Sequence, residues 1–401
     1  MFQKLFILAT ITLAAVNAHP GSHHIVNAAA EATVTSTFKF SETFPQAGVI
    51  PTPKPEWLEL IKNVNITKAP VYKPAAGESP QPEVAGQDPY CDWTFTGCLG
   101  KDDLYQCPKG QWALTFDDGP SEFSPKLYDY LDKENIKVTF FMVGGQVVKF
   151  PDHTLRAYKA GHELAMHTWS HNYMTTLTNE QIVAELKWNE LAIKEVTGVS
   201  PRYFRPPYGD IDNRVRDVAA ALGFVPIIWN YDTNDWAAQS NPTGYKESWI
   251  DGNVTEWANK ASTATVGGIS LEHDLYSLTV DAALRIIPTL KKAYTLKPAG
   301  ACNNVPVYKE SNAVAGTNTT SALPVSSSAA VSSASSSVVA ASSSVAAVAS
   351  TNAAAATSSA AAAASSGVVA NMDKSTSGAL SLTGASTLAL GAAALAALGL
   401  Y

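Results

Sequence analysis

From Gln111 onward, short apolar runs alternate with longer stretches in which apolar residues return every three or four positions. The runs predict strands over 112–116, 137–142, 163–166, 202–204, 225–231 and 267–272. Helices fit between them. Ser124 precedes Pro125, and Leu127, Tyr130 and Leu131 share one face, so Ser124 is expected to cap a helix with proline at its first position. Thr178 with Gln181 forms a capping box whose helix should stop at Gly198. Further helices are predicted after Asp212 to Gly223, over 254–261 and after Thr279, the last with a kink at Pro288. Strand and helix alternating in this way imply a parallel sheet with crossover helices. Six or seven such units predict an α/β fold, a distorted (β/α)7–8 barrel slightly smaller than the eight-fold one.

The ends of the chain have a different character. Residues 1–18 carry Lys4, an apolar run over 5–15 and the small residues Val16-Asn17-Ala18, which read as a secretory signal peptide. Residues 19–89 are Pro-rich and irregular, with a short helix over 56–61 and no evident chemistry; His23-His24 reads as solvated tail. The folded domain is expected over 90–305. Residues 306–377 form a stalk rich in Ser, Thr and Ala, and 317–367 hold no aromatic or charged residue, so they are expected to be disordered and O-glycosylated. Residues 378–401 end in an uncharged run of Leu, Ala and Gly. After the small residues Ser375-Thr376-Ser377-Gly378 this matches a GPI-anchor signal, with Ser377 as the attachment residue. A membrane helix beginning near Ala379 is the alternative. Asn65, Asn253 and Asn318 head glycosylation sequons, whereas Asn241 is followed by proline. Together these features predict a secreted eukaryotic protein held on the outer face of the cell membrane or in the cell wall.

A net charge of -7 without any basic block argues against nucleic acid as a partner. Four cysteines in an exported chain favour two disulfides, with three possible pairings. Cys107 and Cys302 bracket the regular region, so their pairing would clamp its ends and leave Cys91 with Cys98. No C-x-x-C spacing supports a zinc cluster.

In parallel barrels, reactive groups gather at the C-terminal ends of the strands. Asp117 and Asp118 follow the first strand, His167 the third, Arg205 the fourth, Asp232 and Asp235 the fifth and His273 the last. Asp-Asp-Gly-Pro alone is ordinary turn chemistry, but all these groups fall on one rim. His167 and His171 are four residues apart and stack one above the other if their segment is helical. With Asp118 they supply three ligands and leave a position for water, as a catalytic zinc requires. His162-Glu163 with His167 has one residue too many for H-E-x-x-H, since five residues turn a helix by about 140° beyond a full turn, so His162 is structural. There is no G-x-S-x-G elbow. Water activated by a metal remains as the nucleophile.

Thr-Phe-Asp-Asp-Gly-Pro at 115–120, His-Thr-x-x-His at 167–171, Arg-Pro-Pro-Tyr at 205–208, Asp-x-x-Asp-Trp at 232–236 and Leu-x-His at 271–273 occur in this order. The set resembles the motifs of the NodB-like polysaccharide deacetylases, carbohydrate esterase family four, over roughly 107–302. Within that family the exported, stalked chain looks most like fungal chitin deacetylases. The resemblance implies zinc or cobalt on Asp118, His167 and His171, Asp117 as general base and His273 as general acid. It pairs Arg205 with Asp117 and Asp235 with His273, gives the oxyanion to the backbone N–H of Tyr208, and lines the sugar pocket with Trp236 and Leu271. Tyr173 is a further aromatic able to meet substrate. The implied reaction is hydrolysis of N-acetyl groups of chitin polymer or oligomers, by a monomer. Acetylxylan or peptidoglycan is the alternative substrate, and a non-catalytic chitin-binding wall protein is the reading from another class.

Overall fold

Strand Gln111–Asp117 is the axis of the sheet. In this computed structural model the described residues are 36, 38–75, 78–240 and 244–310. The expected leader with His23-His24, most of the stalk, the Asn318 sequon, Ser377 and the anchor signal lie outside them.

We number the strands β1 (Cys107–Pro108), β2 (Gln111–Asp117), β3 (Thr139–Met142), β4 (Glu163–Met166), β5 (Tyr203–Phe204), β6 (Val225–Pro226), β7 (Tyr231–Asp232), β8 (Val266–His273) and β9 (Thr295–Leu296). The order β8-β2-β3-β4-β5-β6 is parallel throughout. β7 joins β8 and β9 joins β2, both parallel, while β1 lies antiparallel to β8. No strand pairing joins β6 to β7 among the described residues, so the sheet is a curled half-barrel with its helices outside. The single strand expected over 225–231 divides for this reason. Its start pairs with β5, its end with β8, and residues between them cross the opening.

The central strands are apolar on both faces, as a covered parallel sheet requires. Successive side chains point to opposite faces, and the core divides accordingly. Trp112, Leu114, Phe116, Phe140, Leu164, Met166 and Phe204 pack beneath the helices. Ala113, Phe141, Ala165, Tyr203 and Ile269 fill the inside of the curl, together with Cys107 and Cys302. Those two cysteines are bonded, as are Cys91 and Cys98.

The long helices are Ser124–Glu134, Pro151–Lys159, Asn179–Thr197, Asn213–Ala221, Ser248–Asn259 and Ser277–Ala293. Thr178 and Gln181 form the expected capping box, and Gly198 ends its helix at φ 82°. Several expectations are corrected. Ser124 is not a cap: Phe123 precedes the helix without a side-chain cap, and the Ser124 hydroxyl donates to the buried Asp274 carboxylate instead. Helices Gly144–Lys149 and Pro151–Lys159 fall outside the predicted elements; Pro151 stands in the first turn of the second, where proline is well suited. Helices Ser248–Asn259 and Ser277–Ala293 begin earlier than predicted, and the second continues as one helix through Pro288. The short N-terminal helix is Pro55–Leu58.

The Pro-rich N-terminal residues pack against the domain. Phe38, Phe40, Phe44, Trp57 and Ile66 lie on the core beneath the helices, and the Thr52 carbonyl accepts a 2.8 Å hydrogen bond from Trp188 Nε1. Of the described sequon residues, Asn65 is exposed and Asn253 half-buried on its helix. No helix among the described residues is long and apolar enough to cross a membrane.

Candidate metal and acid-base site

The alternation that divides the core also aims the reactive groups. Asp117 continues the face of Ala113, His167 that of Ala165, Arg205 that of Tyr203, and His273 that of Ile269 and Leu271, so all of them project inside the curl where the strands end. Asp118 would point away, but the backbone turns there at φ 75° and brings its carboxylate round to the same mouth. Gly119 follows because a Cβ at that position would sit 2.2 Å from Asp274 Oδ1.

Three groups converge at this turn. His167 Nε2 lies 3.4 Å and His171 Nε2 3.1 Å from Asp118 Oδ1, and one ligand atom from each residue falls within 4.8 Å of the others. His167 Nδ1 is 2.9 Å from the Arg205 carbonyl oxygen, which can only accept, so Nδ1 carries the proton and the Nε2 lone pair faces Asp118. Burial holds this imidazole well below its usual range, hence neutral as a ligand must be. Burial alone would raise Asp118, but the neighbouring histidines, His171 foremost, hold it far below the usual carboxylate range. Its Oδ1 is buried without a hydrogen-bond donor. A carboxylate oxygen that faces the His167 Nε2 lone pair, with His171 Nε2 3.1 Å away, fits a divalent cation of the zinc type.

The two imidazoles are not carried by a helix. Thr168 and His171 have φ of 63° and 59°, and the loop between them brings the rings to a centroid separation of 4.9 Å. Helix Asn179–Thr197 holds that loop through two buried polar residues that sequence reasoning missed. Glu185 accepts the backbone N–H groups of Trp169 and Ser170, each at 2.8 Å, and the Ser170 hydroxyl. Asn189 Nδ2 donates to the carbonyls of Met142 and Thr168 at 2.8 and 2.7 Å. Their only trace in the sequence is a pair of polar residues four apart among Ile182, Leu186 and Ile193.

Asp117 and His273 have separate supports. Arg205 Nη1 donates to Asp117 Oδ1 at 2.8 Å and to Thr115 Oγ1 at 2.7 Å, with its guanidinium carbon 4.0 Å from the centre of the Phe141 ring. Burial pushes the Asp117 carboxyl up and Arg205 and His273 pull it down, leaving it at about 6. Asp235 grips His273 twice, Oδ1 2.6 Å from Nδ1 and Oδ2 accepting the backbone N–H at 2.9 Å. The proton on Nδ1 leaves Nε2 toward the mouth. Burial would lower this imidazole, but the carboxylates of Asp235, Asp118 and Asp117 outweigh it and push it up to about 10. Asp232, by contrast, accepts the Asn234 N–H at 2.7 Å and is not the carboxylate that holds His273.

Aromatic groups flank the cluster. The Tyr208 ring lies 4.8 Å from that of His171 and is stacked at 4.0 Å on Tyr173. Leu271 is buried on the face it shares with His273, whereas Trp236 is 39% exposed. His162 is buried, accepts the Val138 N–H at 3.3 Å and is driven by burial to about 3, consistent with a structural role.

The family model described as polysaccharide deacetylase matches residues 105–227. Chitin deacetylase 1 of Cryptococcus neoformans var. grubii is 44% identical over 237 residues, covering 56% of this chain and 50% of that protein. Chitin deacetylase 1 of Saccharomyces cerevisiae is 34% identical over 254 residues, covering 59% of this chain and 79% of that protein. The solved chitin deacetylase of Colletotrichum lindemuthianum is 29% identical with a TM-score of 0.47, covering 52% of this chain and 95% of that one. The chain spans about half the length of the Cryptococcus relatives it matches.

Proposed function

We propose that this chain, which belongs to the polysaccharide deacetylase family, hydrolyses the N-acetyl groups of chitin, releasing acetate and leaving the free amines of chitosan in the cell wall. The observation that carries this reading is the meeting of Asp117, His273 and the Asp118-His167-His171 cluster at one end of the sheet. The names of the curated relatives support chitin as the substrate.

Zinc or cobalt bound by Asp118, His167 and His171 would polarise the acetyl carbonyl and acidify the attacking water. Asp117 takes a proton from that water as its oxygen bonds to the carbonyl carbon. Arg205 keeps Asp117 charged and aimed for this step. The N–H of Tyr208, in the turn Pro207–Gly209, donates to the carbonyl oxygen as negative charge gathers there. His273 then gives its Nε2 proton to the nitrogen as the carbon–nitrogen bond breaks, so that an amine leaves rather than an amide anion. Asp235 fixes both the orientation and the charge of that acid. Trp236 and Leu271 line the sugar and acetyl sites.

The two described sequons, Asn65 and Asn253, together with Asn318, carry N-glycans. The chain is exported as a monomer, and a GPI anchor at Ser377 holds it on the outer face of the membrane or delivers it to the wall.

Acetate release from chitin oligomers, acetylated xylan and peptidoglycan tests the reading directly. Turnover is expected on chitin oligomers. Turnover confined to either of the others would replace the substrate, and chitin binding without acetate from any of the three would replace the enzyme with a binding protein.

A further inference from the structure

The N-terminal residues lie outside the span matched by the family model, 105–227, yet they reach the back of the histidine loop. Trp169 stands midway between His167 and His171 and is fully buried. Its indole stacks on Phe44 with ring centroids 5.7 Å apart and planes within 9°, and its Nε1 donates to the Gln46 carbonyl at 3.2 Å. On the domain side there is no slack. A Cβ on Gly144 would meet the Trp169 ring at 2.5 Å, and one on Gly145 would meet the Ala47 methyl at 2.8 Å.

The same stretch is moored on helix Asn179–Thr197. Trp188 Nε1 donates to the Thr52 carbonyl at 2.8 Å, the Trp57 ring meets Trp188 edge-on at 5.0 Å, and the Ser41 N–H donates to Glu195 at 2.8 Å. Trp188 is the neighbour of Asn189, which with Glu185 holds the loop from within. Thr168 and His171 both occupy the left-handed region, a conformation that costs a non-glycine residue free energy and persists only where the surroundings impose it. Helix and N-terminal segment together supply that restraint.

We infer that residues 41–57 act as a positioning strap for the metal site, with Phe44 and Gln46 fixing Trp169 and Trp169 setting the approach of His167 to His171. This rests on the metal reading above. The strap touches no ligand atom and acts through the loop backbone alone.

The test uses the full chain and zinc itself. Zinc affinity is measured by competition with a chromogenic chelator, and the unfolding midpoint is measured on the zinc-free protein. Phe44→Ala should weaken zinc binding about tenfold, the lower end of what losing an outer support costs a metal site, and Phe44→Tyr, which keeps the stack, should restore it. Phe38→Ala removes a ring that packs on Phe40 at 4.8 Å; it should lower the midpoint and leave zinc affinity unchanged. Should Phe44→Ala fail to fold, Gly145→Ala, whose Cβ would press on Ala47 at 2.8 Å, displaces the strap from the domain side and is read in the same way. A lowered midpoint with unmoved zinc affinity would overturn the strap. If the unaltered chain bound no zinc, the metal reading itself would fall.

Discussion

Asp117 and His273 stand opposite one another on the last rung shared by β2 and β8. The hydrogen-bonded ladder of two buried parallel strands, rather than any loop, sets the distance between this carboxylate and this imidazole. Arg205 and Asp235 then orient the two side chains from either flank.

If that rung carries the chemistry, Asp117→Asn and His273→Ala should each lower kcat about 10²- to 10⁴-fold, the range for loss of a positioned acid or base. Far-ultraviolet circular dichroism and zinc content should be unchanged. Acetate release within threefold or so of the unaltered chain would remove either residue from the reaction.

The pH profile should depend on Asp235. A His273 that gives up a proton must first carry it, and its environment pushes it from 6.5 up to about 10, so under this reading activity should persist above neutral pH and fall as pH rises toward that value. Asp235→Asn removes a carboxylate that favours the charged ring, and the alkaline limb should move to lower pH. The same sign governs stability. Because the folded value is raised, the contribution is fully present below pH 6.5 and is lost as pH rises through about 10. An alkaline limb that stays in place in the Asp235→Asn protein would show that another group titrates there.

Chelation should abolish turnover, and zinc or cobalt should restore it. His167→Ala with His171→Ala should prevent that rescue and should also remove the rise in unfolding temperature that zinc gives, since a ligand stabilises only the state that binds it. Calorimetry with and without zinc reads the second effect without any substrate.

Arg205→Met leaves the Asp117 carboxyl buried without its cation, which should cost about 3 to 5 kcal/mol of stability, as breaking one side of a buried pair does. Urea unfolding of the zinc-free protein measures it. A loss of about 1 kcal/mol or less would mean that water reaches this pair.

The disulfide Cys107–Cys302 closes a sequence separation of 195 residues. Its loss in Cys302→Ser should destabilise the domain by about 2 to 5 kcal/mol, mainly by freeing the unfolded chain. Unfolding under reducing conditions should then be the same for both proteins, and a difference that survives reduction would point to packing inside the curl instead.

The sheet and its rim were legible because alternation writes them locally: once 112–116 and 163–166 read as strands, the parity of Asp117 and His167 follows. What could not be read was the support at a distance. The histidine pair suggested a helix because four-residue spacing is the helical repeat, yet the loop depends on Glu185 and Asn189, whose partners lie 15 and 21 residues away for Ser170 and Thr168. The N-terminal aromatics escaped notice for a related reason. Phe38, Phe40, Phe44 and Trp57 follow no helical or strand period, and only the surface they cover gives them meaning.

Arg205 touches the site in two ways of different kinds. Its carbonyl steadies His167, a service any amino acid at that position could perform, whereas the contact to Asp117 belongs to its guanidinium alone. A substitution at this position would therefore spare the contact that fixes the His167 tautomer and strip the buried Asp117 carboxylate of its cation, separating in one change two supports that the wild-type residue joins.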